Sequence, residues 1–126
     1  MRKAISTAGA PAAIGPYSQA IQVGDTLWMS GQIALDPSGE RLVGETAAEQ
    51  TAQVLRNMEA VLGAAQFTVG DLVHCTIYLK NMDDFAAVNE VYAAFMPTPP
   101  PARATVEVSR LPRDVMVEIG GIAQRV

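Results

Sequence analysis

Leu72-Val73-His74-Cys75-Thr76-Ile77-Tyr78-Leu79-Lys80, the segment Asn81 to Phe95, and Arg103-Ala104-Thr105-Val106-Glu107-Val108-Ser109 form the stretch that decides the fold. In the first piece Val73, Cys75, Ile77 and Leu79 alternate with His74, Thr76, Tyr78 and Lys80, the period of two of a strand. In the second, Phe85, Val88, Tyr92 and Phe95 share one helical face, and Pro97, Pro99, Pro100 and Pro101 end the helix. The third piece alternates again. Upstream, Val54, Leu55, Met58, Val61, Leu62 and Ala65 form one apolar stripe on a helix over 46–65, and Thr46 with Glu49 has the spacing of a capping box. Further upstream, strands are predicted at 2–6, 18–23 and 27–33, with Gly24-Asp25 as hairpin chemistry and Asp36-Pro37-Ser38-Gly39 as a second turn. Downstream, Val115–Ala123 is a last strand beyond Arg110-Leu111-Pro112-Arg113-Asp114. The order is βββαβαββ, an α+β domain over residues 1–126 with one mixed sheet and two helices packed on one face.

Composition narrows the function classes. The chain has 126 residues, 49% hydrophobic and 17% charged, which is enough for a core without disulfides. Nine Lys and Arg against thirteen Asp and Glu give a formal charge of −4, with no basic run, so no nucleic-acid partner is expected. One cysteine, Cys75, and one histidine, His74, leave no multi-cysteine zinc site and no histidine-based triad, so no metal is expected. No run of about 18 apolar residues is present and no signal-like h-region follows Met1-Arg2-Lys3, so the expectation is a soluble cytoplasmic protein without membrane contact.

Alternation sorts the strand residues by face. Helices are expected over Leu27, Met29, Val73, Cys75, Ile77, Leu79, Val106, Val108, Val117 and Ile119. The other face then carries Trp28, Ser30, Gln32, His74, Thr76, Tyr78, Arg103, Thr105, Glu107, Met116, Glu118 and Ile122, a mixed surface suited to a subunit interface with a pocket. If the last two strands form a hairpin centred between Leu111 and Pro112, Thr105 lies opposite Glu118 and Gly120 opposite Arg103. Arg103 and Glu118 are then diagonal neighbours with backbones roughly 7–8 Å apart. That pair reads either as an ion pair within the sheet or as a site for a small carboxylate, with Arg gripping the anion and Glu activating a water. His74 and Cys75 read as structural. Ser30 has no base near it in sequence and is not a candidate nucleophile.

Four separated blocks carry a family resemblance. Ala12-Ala13-Ile14-Gly15-Pro16-Tyr17-Ser18-Gln19-Ala20, Ser30-Gly31-Gln32-Ile33, Val69-Gly70-Asp71-Leu72-Val73 with Asp84-Phe85-Ala86-Ala87-Val88-Asn89, and Pro101-Ala102-Arg103-Ala104-Thr105-Val106-Glu107-Val108 with Leu111-Pro112 and Val117-Glu118-Ile119 occur in order along nearly the whole chain. Together they resemble the Rid family, the reactive intermediate deaminases, and within it the enamine/imine deaminases. The resemblance implies a chorismate-mutase-like fold and a homotrimer with sites between subunits. It also implies hydrolysis of 2-aminoacrylate and related 2-enamino or 2-imino acids to 2-oxo acids and ammonia, with no cofactor. On the same resemblance Arg103 binds the carboxylate and Glu118 orients the attacking water, while Tyr17, Ser30, Gly31, Asn89 and Thr105 line the pocket. Thr105 stands where many members carry Cys. The Met96–Pro101 loop is shorter than in typical members, with Pro100 in place of an aromatic residue. Two other readings stay open: a non-catalytic small-ligand-binding or regulatory protein, and a ribonuclease-type translation inhibitor.

Overall fold

Eight elements follow the expected βββαβαββ order in the computed structural model, which describes residues 1–126. Strands β1 (Arg2–Ile5), β2 (Ala20–Val23) and β3 (Thr26–Gln32) precede helix α1 (Ala47–Ala64). Then come β4 (Leu72–Leu79), α2 (Phe85–Phe95), β5 (Ala102–Glu107) and β6 (Val117–Gln124). Gly24, at φ 59°, supplies the left-handed turn between β2 and β3. Thr46 and Glu49 form the capping box: Thr46 Oγ1 accepts from the Glu49 amide at 3.1 Å, and Glu49 Oε1 accepts from the Thr46 amide at 3.2 Å. Such a cap is worth about 1 kcal/mol.

The six strands form one mixed sheet in the order β1-β2-β3-β6-β4-β5. Here the structure corrects the expected β5–β6 hairpin. After α2 the chain returns parallel to β4, pairing Cys75 with Arg103 and Ile77 with Thr105, so β5 becomes an edge strand. Residues 108–116 then pass the end of β4, and β6 enters the slot between β3 and β4, antiparallel to both. Burial explains the choice. Val117, Ile119 and Ala123 of β6 are fully buried and need cover from both neighbours, whereas β5 is largely exposed.

The stripe read from α1 is the heart of the core: Val54, Leu55, Met58, Val61, Leu62 and Ala65 are all buried beside Leu27, Ile77, Leu79 and Ile119. Truncating one of the larger ones to Ala typically costs 2–5 kcal/mol. Both helices lie on one face, as expected. The residues beneath them differ from expectation in four places, the first three with a local cause. A bulge in β3 inserts one extra residue between Met29 and Gln32, which turns Gln32 into the core. A second bulge at Val73 leaves that side chain 46% exposed and buries Leu72 instead. In β5 the parallel register with β4 places Arg103, Thr105 and Glu107 on the helix face, and leaves Val106 41% exposed on the other. Met116 packs against the core cluster.

Candidate active site, split across the sheet

The sequence-predicted site residues fall into two groups on opposite faces of the sheet. Around the β3 bulge on the open face stand Tyr17, Ser30, Gly31 and Glu118. Around the end of α2, on the helix face, stand Asn89, Arg103 and Thr105. The diagonal Arg103–Glu118 pair does not form. Arg103 is in register with Cys75 and Glu118 with Tyr78, on strands separated by β4. Two strand spacings and three residue steps put their backbones roughly 14 Å apart. Because Cys75 and Tyr78 point to opposite faces, so do Arg103 and Glu118.

The open-face group is built from loop anchoring. Gln19, 3% exposed, accepts from the Thr7 amide at 2.7 Å and donates to the carbonyls of Pro11 at 2.7 Å and Thr7 at 3.2 Å. One side chain thereby satisfies several backbone groups of a loop that has no sheet partner. Ser30 Oγ donates to the Ser18 carbonyl at 2.6 Å, so its hydroxyl ties the loop down. Tyr17 projects from this anchored loop, 54% exposed, beside a groove of about 560 Å³ that also reaches Gly31.

Glu118 sits over Gly31. A Cβ at Gly31 would come within 2.9 Å of the Glu118 carboxyl carbon, so the bare backbone of Gly31 is what admits the side chain. Gly120 keeps the next position clear, its own missing Cβ lying 3.5 Å from the Gly31 Cα. Glu118 is half-buried, takes part in neither ion pair of the chain, and burial pushes its carboxyl above the ordinary 4.5. It shares a depression of about 220 Å³ with Trp28, His74, Thr76, Tyr78 and Ile122. A desolvated carboxylate without a partner is suited to accepting a proton from water. Gly31→Ala should leave the fold intact, since only a mobile side chain has to give way, and should displace Glu118. The expected result is an unchanged circular dichroism spectrum with turnover down by roughly tenfold or more, a misplacement effect.

The helix-face group is built around the guanidinium. Arg103 Nη1 donates to Asn89 Oδ1 at 2.7 Å. Its guanidinium carbon lies 5.0 Å from the Tyr92 ring centre and 5.5 Å from that of Phe85. Such contacts contribute about 0.5–2 kcal/mol each and hold the planar fork in one orientation while its other donors stay free. Beneath it the Tyr92 and Thr105 hydroxyls are buried without hydrogen-bond partners. Burial raises both the Tyr92 hydroxyl and the Cys75 thiol, so both stay protonated at neutral pH. Gln19, Phe85 and Tyr92 were not picked out as site residues from the sequence. A glutamine at the mouth of a Gly/Pro loop, where orphan carbonyls need a donor, was the available signal for Gln19. Phe85 and Tyr92 read only as core stripe.

Comparison with known proteins places the chain in a family. Residues 7–125 match the family model described as Endoribonuclease L-PSP. A RutC family protein of Saccharolobus solfataricus is 51% identical over 99% of each chain. Proteins named 2-iminobutanoate/2-iminopropanoate deaminase are 47% identical in Mus musculus, over 98% of this chain and 91% of that one, and 46% identical in Salmonella typhimurium, over 99% of each. Among solved structures, a putative endoribonuclease of Thermotoga maritima superposes with a TM-score of 0.96 at 44% identity, covering 100% of this chain and 99% of that one. Escherichia coli TdcF with bound serine gives 0.92 at 38%, covering 98% and 99%. With a matching family model over almost its whole length, near-half identity to named members and the same six-stranded fold, the chain belongs to the Rid family, also described as the endoribonuclease L-PSP family.

Proposed function

We propose that this protein hydrolyses 2-aminoacrylate and related 2-enamino and 2-imino acids to 2-oxo acids and ammonia. Its sites would lie between subunits of a homotrimer. The observation that carries the reading is the split itself. A fixed, charge-bearing fork at Arg103 and an unpaired, desolvated carboxylate at Glu118 stand too far apart, on opposite faces, to serve one small molecule within one chain. Two copies bring them together if the open face of one meets the β5–α2 edge of the next. Exposed Trp28, Val73 and Val106 give that face the apolar character of an interface.

In this site Arg103 binds the carboxylate, with Asn89 holding the guanidinium. From the neighbouring copy, Glu118 orients a water and takes its proton. An enamine first takes a proton at C3 from solvent to become the iminium; the water oxygen then bonds to C2 as the C=N π pair moves to nitrogen, the proton held by Glu118 passes to that nitrogen, and the C–N bond breaks, ammonia leaving as the hydroxyl returns its proton to Glu118 and the carbonyl forms. Tyr17, Ser30, Gly31 and Thr105 shape the walls. The iminium carbon is already electrophilic, so anchoring and water placement are what the reaction requires, and no cofactor or metal is invoked. A ribonuclease reading fits less well with a net charge of −4 and no basic, aromatic strip. No helix is long and apolar enough to cross a membrane, and we place the activity in the cytoplasm.

The test adds purified protein to a dehydratase that releases 2-aminoacrylate and follows 2-oxo acid. Faster release in proportion to added protein is expected. An unchanged rate would leave a binding or regulatory role as the better reading.

A further inference from the structure

Helix α1 carries a row of amide side chains on its buried side. Gln50, Gln53 and Asn57 stand at i, i+3 and i+7, so they share one helical face, and they are 5%, 8% and 1% exposed. Asn57 Nδ2 donates to the carbonyls of Ile33 at 3.2 Å and Leu35 at 3.0 Å. Gln53 Nε2 donates to Asn57 Oδ1 at 2.9 Å and to the Leu35 carbonyl at 3.4 Å. At the other end of the row, Gln50 Oε1 accepts from the Met116 amide at 2.9 Å, and its Nε2 donates to the Gly44 carbonyl at 3.3 Å. The row thus grips two stretches of backbone, one just beyond Gly31 and the other just before Glu118.

We propose that Gln50, Gln53 and Asn57 are positioning residues that set the approach of Gly31 to Glu118 from the other side of the sheet. The inference rests on the deaminase reading above and deepens it by naming what holds the base in place. Strand pairing alone does not fix that approach. The β3–β6 register is interrupted between Met29 and Gln32, and Gly31 lies inside the interruption. The neighbouring Ser30 amide donates to the Gln19 carbonyl at 3.0 Å instead of to β6. Beyond Gln32 the chain leaves the sheet, and Met116 stands one residue ahead of β6, so their backbone groups need partners from another element. Slippage of either stretch moves Gly31 against Glu118, where there is not room for a methyl group. Glu118 is on the open face and α1 covers the opposite one, so the three amides cannot touch a substrate bound there and act only through the backbone they hold. Apolar side chains at these positions would fill the same space without any polar group to desolvate. What the amides add is direction: bonds that tie named carbonyls and one N–H to a rigid helix.

The experiment compares Asn57→Leu and Gln50→Met, replacements of similar shape that each release one end of the row, with Thr51→Val and Val61→Ala, which weaken the same helix outside it. It measures kcat and KM on 2-iminopropanoate, and titrates the Glu118 carboxyl by NMR in every protein. Asn57→Leu and Gln50→Met are expected to lower kcat by about ten- to a hundredfold with KM little changed, because the Arg103 anchor is untouched. In both, the Glu118 midpoint should fall back toward the ordinary 4.5 as the carboxyl slips into solvent. Thr51→Val and Val61→Ala should lower Tm and leave kcat and the Glu118 midpoint at their wild-type values. An unchanged Glu118 midpoint in whichever of Asn57→Leu and Gln50→Met folds overturns the positioning role, whatever happens to kcat. Equal changes in the two comparison variants overturn it as well, and so does failure of both row variants to fold, which would make the row a folding element alone. A wild type without turnover overturns the deaminase reading instead, and the titration, which needs no substrate, then still decides whether the row positions the carboxyl.

Discussion

Refolding Arg103→Ala and Glu118→Gln chains together should restore activity that neither variant has alone. Removing the Arg103 fork deletes a hydrogen bond to a charged group, worth about 1.5–3 kcal/mol, or roughly one to two decades in kcat/KM. Removing the Glu118 base costs about 10²–10⁴-fold. If each site takes Arg103 from one copy and Glu118 from the next, a mixed assembly contains sites whose Arg103 comes from a Glu118→Gln chain and whose Glu118 comes from an Arg103→Ala chain. Random mixing in equal amounts makes about one site in four intact. The converse mixture sharpens the test. Wild type refolded with the double variant should also keep about a quarter of its sites if they are shared, and about half if each lies within one chain. Recovery absent from the first mixture, with half retained in the second, would place both groups in one chain and end the shared-site reading. Both outcomes require that subunits exchange, which light scattering on the mixed and unmixed samples verifies.

The need for such an experiment comes from what local sequence could and could not say. Element order, the α1 stripe, the capping box at Thr46 and Glu49 and the Gly24 turn were all legible, because each depends on residues within a few positions of one another. Strand neighbours were not. Alternation says which residues of one strand share a face, but nothing in Arg103–Ser109 or Val115–Ala123 says that β4 lies between them. The hairpin expectation followed from adjacency in the chain, and the buried Val117, Ile119 and Ala123 overruled it by requiring a central position.

The face assignment of β5 misled for a related reason. In most strands the apolar set turns inward, and here Ala102, Ala104 and Val106 turn outward while Arg103 lies under α2. That inversion is stable because Asn89, Phe85 and Tyr92 receive the guanidinium. Bulges added two further reversals, at Gln32 and Val73, since one inserted residue flips everything beyond it. The residue identities at the candidate site were thus readable as family motifs, whereas their division between two faces was a property of topology alone.

Glu118→Gln is expected to cost turnover and to gain stability. Gln keeps an oxygen that can align a water but cannot take its proton, so kcat should fall by about 10²–10⁴-fold with KM little changed, because the carboxylate anchor at Arg103 is untouched. The acid limb of the wild-type pH–rate profile should follow the raised carboxyl. Activity should be lost as pH falls through a value above the ordinary 4.5, and the variant's residual activity should lack that limb. The stability effect has the opposite sign from that of a paired carboxylate. Burial raises the folded-state value, so between the unfolded and folded values the native state holds more protons than the unfolded state, and stability falls as pH rises through that window. Above it the ionised Glu118 carries a partial desolvation cost that neither ion pair of its own chain offsets. Replacing it with neutral Gln removes that cost, so the variant's Tm should exceed the wild type's at neutral pH, and the difference should vanish below about pH 4, where the carboxyl is protonated in both states. A variant equally active and no more stable would make Glu118 an ordinary surface carboxylate. A variant less active and also less stable at neutral pH would mean that its charge holds the assembly together. Loss of turnover with a gain in Tm is the pattern of a residue whose burial is maintained against stability for the sake of chemistry.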